Sequence, residues 1–252
     1  MASGIFHRLG MLLAQHLSRP RPDAQMSMPT VQHLLAQTLR PGDVLLVDVS
    51  SRISGAIKYL TQSTWSHAAF FVGTQLGDSD AEGQPYELIE ADMLRGVCKR
   101  PLSHYQSYPT RICRPSALNA GDLQRLLTVI CSKLGDQYDL KNVWDLARYL
   151  MPTPPVPTRW RRQMIALGSG DPTRAICSSL IAESFQSVGY PILPAITQDC
   201  RADPSRQTAI VEIFHIRDRS LYAPRDFDVS PYFDIVKPGL TVDFDYRHIQ
   251  WE

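Results

Sequence analysis

A chain of 252 residues is long enough for one large domain or two small ones, and an apolar fraction of 44% suits an ordinary packed core. A formal net charge of +1 removes any global electrostatic argument for nucleic acid. The five cysteines, at 98, 113, 131, 177 and 200, are odd in number and contain no CxxC pair. That spacing argues against a disulfide framework or a zinc ribbon and points to a reducing, cytoplasmic setting.

The first apolar stretch, Ile5 to Leu17, is interrupted by His7, Arg8 and Gln15 and is too short to span a bilayer. As a helix it would be amphipathic, packed on its own domain or lying at a membrane interface. The run Arg19-Pro-Arg-Pro-Asp23 reads as a linker. A short helix is expected over Val31–Leu39 with Thr30 as its N-cap, which makes residues 1–38 a helical extension.

A Pro41-Gly42 turn then leads into a Val- and Leu-rich strand over Asp43–Val49. Ser51 is placed to cap a helix carrying Ile53, Ile57 and Leu60. Ser66–Gly73 reads as a second strand with His67 at its start. A polar turn over Leu76–Pro85 precedes a third strand, Tyr86–Ala91, and the two should pair as a hairpin. Further strands are expected at Gly96–Cys98 and Thr110–Cys113. Beyond them the periodicity turns helical, over Asp122–Leu134 and Asn142–Leu150. Met151–Thr158 is proline-rich, and Arg159-Trp160-Arg161-Arg162 is a small basic cluster. After Pro194 the best strand is Ile210–Ile216. Strands first and helices after them predict an α+β fold, an antiparallel sheet packed against helices.

The chemistry is concentrated in Arg174-Ala-Ile-Cys177-Ser-Ser-Leu-Ile-Ala-Glu-Ser-Phe-Gln-Ser-Val-Gly189. Leu180, Ile181, Phe185 and Val188 form one helical stripe, and Gly189 with Pro191 is a stop signal. Cys177 therefore falls in the first turn, where free N–H groups and the helix dipole favour a thiolate. Alone, it reads as readily as a buried small apolar residue. His67, at the rim of a sheet, could take the thiol proton, and a carboxylate on the next strand could orient the imidazole. Glu87 and Glu90 are three apart on that strand, so only one can face the site. Glu90, between Ile89 and Ala91, is the better candidate. Taken singly, His67 reads equally as a structural histidine and Glu90 as the partner of an arginine such as Arg95.

As an ordered set, these residues resemble a known family. Leu39-x-Pro-Gly-Asp-Val-Leu-Leu, Ser66-His67-Ala-Ala-Phe-Phe-Val-Gly73, Leu88-Ile-Glu90-Ala91 with Gly96-Val97, Gly135-x-x-Tyr138-Asp139 and Ile176-Cys177-Ser-Ser-Leu-Ile are similar to motifs of the permuted papain-like NlpC/P60 proteins. The resemblance is to the YiiX/YebB-type, amidase-like branch, related in order to lecithin:retinol acyltransferase-type enzymes. It covers about residues 39–195, with the histidine ahead of the cysteine. It implies a circularly permuted papain-like fold over 39–222, a proline-rich insertion at 151–171 and a C-terminal tail at 223–252.

By this resemblance Cys177 is the nucleophile, His67 the base and Glu90 the orienting group. Tyr138, Ser66 and Ser178 are substrate-binding positions, and no metal or cofactor is expected. The function implied is a thiol hydrolase or acyltransferase acting on a peptide or lipid amide or ester. The alternative is an inactive papain-like binding or scaffold module. The motifs leave peripheral membrane contact and oligomeric state open.

Overall fold

The segment Arg40-Pro41-Gly42-Asp43 must turn sharply because Gly42 sits at φ +98, a conformation that costs a side-chain-bearing residue strain. A Cβ at Gly42 would also come within 2.8 Å of Leu123 Cδ1. Asp43 N–H closes the turn on the Arg40 carbonyl at 3.0 Å. The Asp43 side chain, 1% exposed, takes two bonds from the Arg114 guanidinium at 2.9 and 2.7 Å. This pair ties the turn to a strand 71 residues further on.

The computed structural model describes residues 30–92, 94–136, 176–202, 208–215, 217–218 and 221–238. Its helices are α1 (Gln32–Thr38), α2 (Arg52–Thr61), α3 (Ala120–Ser132), α4 (Ile176–Ser187) and α5 (Pro224–Asp228). Its strands are β1 (Val44–Val47), β2 (His67–Phe71), β3 (Tyr86–Asp92), β4 (Gly96–Pro101), β5 (Thr110–Pro115), β6 (Ala195–Ala202), β7 (Thr208–His215) and β8 (Phe233–Val236). Single 3₁₀ turns lie at Gly73–Leu76 and Leu102–Tyr105.

Among the described residues, six strands form an antiparallel sheet in the order β4-β3-β2-β1-β5-β8. β1 is central, and its four residues are all fully buried, as an unbroken Val-Leu-Leu-Val run requires when both faces are covered. Alternation sorts the sheet into two cores. Val44, Leu46, Ala68, Phe70, Ile89 and Ala91 face helices α3 and α4. Leu45, Val47, Ala69, Phe71 and Leu88 face α1 and the 3₁₀ turn, through Leu35, Leu39, Leu102 and Tyr105. Phe185 anchors the first core, with Phe70, Tyr190, Phe227 and Phe233 around its ring at centroid distances of 5.2–6.4 Å.

Local signals account for much of this. Ser51 Oγ accepts from Ser54 N–H at 3.1 Å and caps α2. Asn119 does the same for α3, accepting from Asp122 N–H at 2.8 Å. That cap starts α3 two residues earlier than expected.

Four features differ from the expectations or add to them. Thr30 does not cap α1. Its hydroxyl donates to the Thr110 carbonyl and accepts the Thr110 amide, so it belongs to the edge of β5. The stretch expected as a tail from 223 contributes α5 and the edge strand β8, because Phe227 and Phe233 are needed to close the Phe185 cluster. Within the expected extension, Gln32–Thr38 packs Leu35 into the second core. β6 was not expected at all: its polar sequence lacks a strand pattern, and among the described residues it pairs with β7 alone, apart from the main sheet. Tyr138, the helix expected over Asn142–Leu150, the proline-rich insertion, the basic Arg159–Arg162 cluster and residues 1–29 lie outside the described residues.

Candidate active site

α4 is held by its apolar stripe. Leu180, Ile181, Ala182 and Phe185 are all buried in the first core. The helix ends at Gly189, φ +71, whose N–H returns to the Gln186 carbonyl at 3.0 Å. Cys177 is its second residue, 4% exposed, within the turn whose N–H groups have no partner inside the helix.

His67 opens β2, and the chain before it is pinned. Ser66 Oγ accepts from Val49 N–H at 3.0 Å and donates to the Val49 carbonyl at 3.2 Å. The Trp65 indole N–H donates to Asp228 at 3.1 Å, and the Arg111 guanidinium lies 4.9 Å above the Trp65 ring. β2 pairs with β3 at Phe70–Ile89 and Phe71–Leu88, and the pairing does not reach back to His67 and Ala68. The Ala68 amide, not engaged by that ladder, hydrogen-bonds the Cys177 sulfur. The site thus forms where two neighbouring strands part.

Glu90, 3% exposed, is the most heavily bonded carboxylate of the site. His67 Nε2 lies 2.7 Å from Oε2. Arg100 Nε donates to Oε1 at 2.6 Å, and the Tyr105 hydroxyl donates to Oε2. The Cys98 thiol stands 3.9 Å from Oε1. In the β3–β4 hairpin Glu90 is opposite Cys98 and Leu88 is opposite Arg100, so all four share a face. Glu87 lies where the β3–β4 register shifts, and the carboxylate bonded to the imidazole is that of Glu90. His67 Nε2 being engaged, Nδ1 is the nitrogen left for sulfur, and the Cys177 sulfur and the imidazole lie close enough to shift each other's titration. The resulting chain runs from the helix on one side of the sheet, around the free start of β2, to a carboxylate on the other side.

The electrostatics follow from these contacts. Burial opposes charge on His67, yet the Cys177 sulfur and Glu90 together raise its pKa well above the usual value. Burial pushes Cys177 up, but the imidazolium, the Ala68 N–H and Ser178 bring it below the ordinary thiol value. Burial likewise works against ionised Glu90, and His67, Arg100 and Tyr105 overcome it, leaving its carboxyl well below the normal range. Proximity favours a thiolate–imidazolium pair beside a permanent carboxylate. The other thiols differ: Cys98 is pushed up to about 11 and Cys113 higher still, both chiefly by burial.

Of the residues expected at the site, Cys177, His67 and Glu90 lie together. Ser66 and Ser178 are 3% and 0% exposed. Ser66 bonds Val49, and Ser178 Oγ lies 3.9 Å from the Cys177 sulfur. Arg100 and Tyr105 were missed. Arg100 was legible only with the hairpin register in hand, which shows it one ladder step from the position opposite Glu90; the sequence had pointed instead to Arg95. Tyr105, on a 3₁₀ turn, had no signal. Among the described residues, no group of three or more His, Cys, Asp and Glu side chains is arranged to hold a metal ion, and no helix is long and apolar enough to cross a membrane.

The chain is thus an α+β protein in which Cys177, His67 and Glu90 lie together, and at low identity it resembles proteins of the YiiX/YaeF type. No protein-family model matches it. It is 20% identical over 229 residues to the probable lipoprotein peptidase YaeF of Escherichia coli K12, covering 84% of this chain and 76% of that protein. The crystal structure of metalloprotein YiiX from Escherichia coli O157:H7 superposes with a TM-score of 0.45 at 16% identity, covering 84% of this chain and 98% of YiiX.

Proposed function

We propose that the protein is a cysteine hydrolase of the peptidase–amidase type, with Cys177 as nucleophile, His67 as acid–base and Glu90 as the group that orients the imidazole. One observation carries the reading: a strand-opening histidine, bonded to an ionised, buried glutamate, lies beside a first-turn cysteine and lowers its pKa. The name of the relative YaeF supports a peptide-like substrate.

In this mechanism the Cys177 thiolate attacks the carbonyl carbon of an amide or ester. The Cys177 N–H, in the first turn of the helix, receives the developing oxyanion. His67 then gives its proton to the leaving amine or alcohol, leaving a thioester on sulfur. Water, deprotonated by His67, attacks that thioester and releases the acid; another acceptor in place of water would make the same chemistry an acyl transfer. Glu90 keeps Nε2 protonated and Nδ1 turned to sulfur throughout.

The test is intact-mass detection of an acyl-enzyme with a panel of activated peptide and lipid esters and peptide amides. Acylation that maps to Cys177 and disappears in Cys177→Ala is the expected result. A panel that labels other residues, or labels Cys177→Ala equally, overturns the assignment.

A further inference from the structure

Resting on that reading and deepening it, we propose that Arg100 is a positioning and charge-balancing residue of the site, holding Glu90 as a carboxylate and cancelling its charge so that Cys177 can also carry one. Arg100 Nε meets Glu90 Oε1 at 2.6 Å, on the oxygen that His67 does not use. Its side chain is 11% exposed, against 3% for Glu90, so solvent screens the pair little. Arg100 also reaches Asp92 at 3.4 Å, and this second contact fixes its plane.

The argument is one of charge in a dry place. A thiolate, an imidazolium and a carboxylate sum to one uncompensated negative charge, and a buried unbalanced charge is disfavoured. Arg100 brings the sum of these four groups to zero; Asp92, its other partner, is 31% exposed and is met by solvent. The other charged or titratable groups facing the relay do not replace it. From β3 comes Asp92, an anion whose Oδ1 is engaged by the Leu94 and Arg95 amides. From β4 comes Cys98, kept a thiol by its burial. From the 3₁₀ turn come Tyr105, held neutral as a donor to Glu90, and His104, whose pKa is lowered by burial and by Arg100. Arg95, at the hairpin tip, has no bond to Glu90 among those that hold the carboxylate.

Removing a positive charge makes every nearby deprotonation harder, so both titrations of the Cys177–His67 pair move to higher pH together. A merely structural arginine would change amplitude or stability without moving both limbs in one direction.

The experiment is site-resolved iodoacetamide alkylation of Cys177 against pH, by mass spectrometry on the full chain, for wild type, Arg100→Gln, Arg100→Lys, Glu90→Gln and the double variant Arg100→Gln/Glu90→Gln. The expected result is that both inflections rise by about one pH unit in Arg100→Gln, that Arg100→Lys stays near wild type, and that the double variant returns toward it. The double variant also covers the case in which Arg100→Gln fails to fold for want of a partner to Glu90. A wild type whose Cys177 titrates as an ordinary thiol overturns the hydrolase reading and this proposal with it. An acid-shifted wild-type Cys177 whose inflections are unmoved in Arg100→Gln, or in the double variant relative to Glu90→Gln alone, overturns this proposal only.

Discussion

Replacing Glu90 by glutamine keeps the shape of the side chain and removes its charge. The carboxylate now accepts from His67 at 2.7 Å, from Arg100 at 2.6 Å and from Tyr105. Glutamine has one accepting oxygen and one donating nitrogen. If the oxygen stays with His67 and Tyr105, the amide N–H₂ faces the Arg100 N–H, donor against donor. Breaking a buried pair in this way costs about 3–5 kcal/mol, and the residual contact of Arg100 with Asp92 places this case at the lower end. For a chain of this size that lowers Tm by about 6–12 °C. Catalysis falls as well, by about a hundredfold in kcat/KM, because the imidazole loses the group that fixes its tautomer. Loss of a negative charge also lowers the pKa of every neighbour. Both limbs of the pH–rate profile therefore move to lower pH, the alkaline limb more, since Glu90 touches His67 directly. Thermal melts and pH–rate profiles on any turned-over ester measure these effects, with Glu87→Gln as the unchanged control. A Glu90→Gln protein with wild-type Tm and an unmoved alkaline limb would refute the reasoning.

Cys177 should be the fastest of the cysteines to alkylate at neutral pH, with Cys98 and Cys113 inert, because burial pushes their thiols up and the arginines near them do not offset it; competitive labelling with mass spectrometry checks it. Phe185→Ala should cost about 3–5 kcal/mol in urea unfolding, since the ring is fully buried among four aromatic neighbours. Asn119→Ala should cost about 1 kcal/mol by the same measurement, through the lost cap of α3, and an unchanged midpoint would show that the first turn needs no side-chain partner. Stability should also fall in acid. The Glu90 pKa is depressed, so its contribution is present above the ordinary value of 4.5 and is lost as pH falls toward the folded value. The raised His67 pKa acts in the opposite sense: its contribution is full below 6.5 and is lost as pH rises through the folded value. The two shifts are largely one interaction seen from each partner, and urea midpoints across a pH series on wild type and Glu90→Gln measure it.

Much of the site's local logic was legible because it depends on neighbours in the chain. A stripe at Leu180, Ile181 and Phe185 and a glycine stop locate Cys177 in a first helical turn, since helical periodicity is a property of one segment. The three-residue spacing of Glu87 and Glu90 separates their faces before any partner strand is known, because side chains alternate along every strand. Ser51 and Pro41-Gly42 likewise act within four residues of themselves. The Arg100–Glu90 bond, the Tyr105 donor and the Ala68 amide freed by the parting of β2 and β3 were decided by pairing, register and packing. So was the recruitment of β8 to the edge of β5, which joins Cys113 to Ile235. Such contacts form only when loop closure brings distant segments together, and the free energy that selects one pairing lies in the shared core of the whole sheet. The sequence by itself thus determined which residues could carry the chemistry and which way each would face, while the tertiary structure alone decided what surrounds them and therefore which charges they hold.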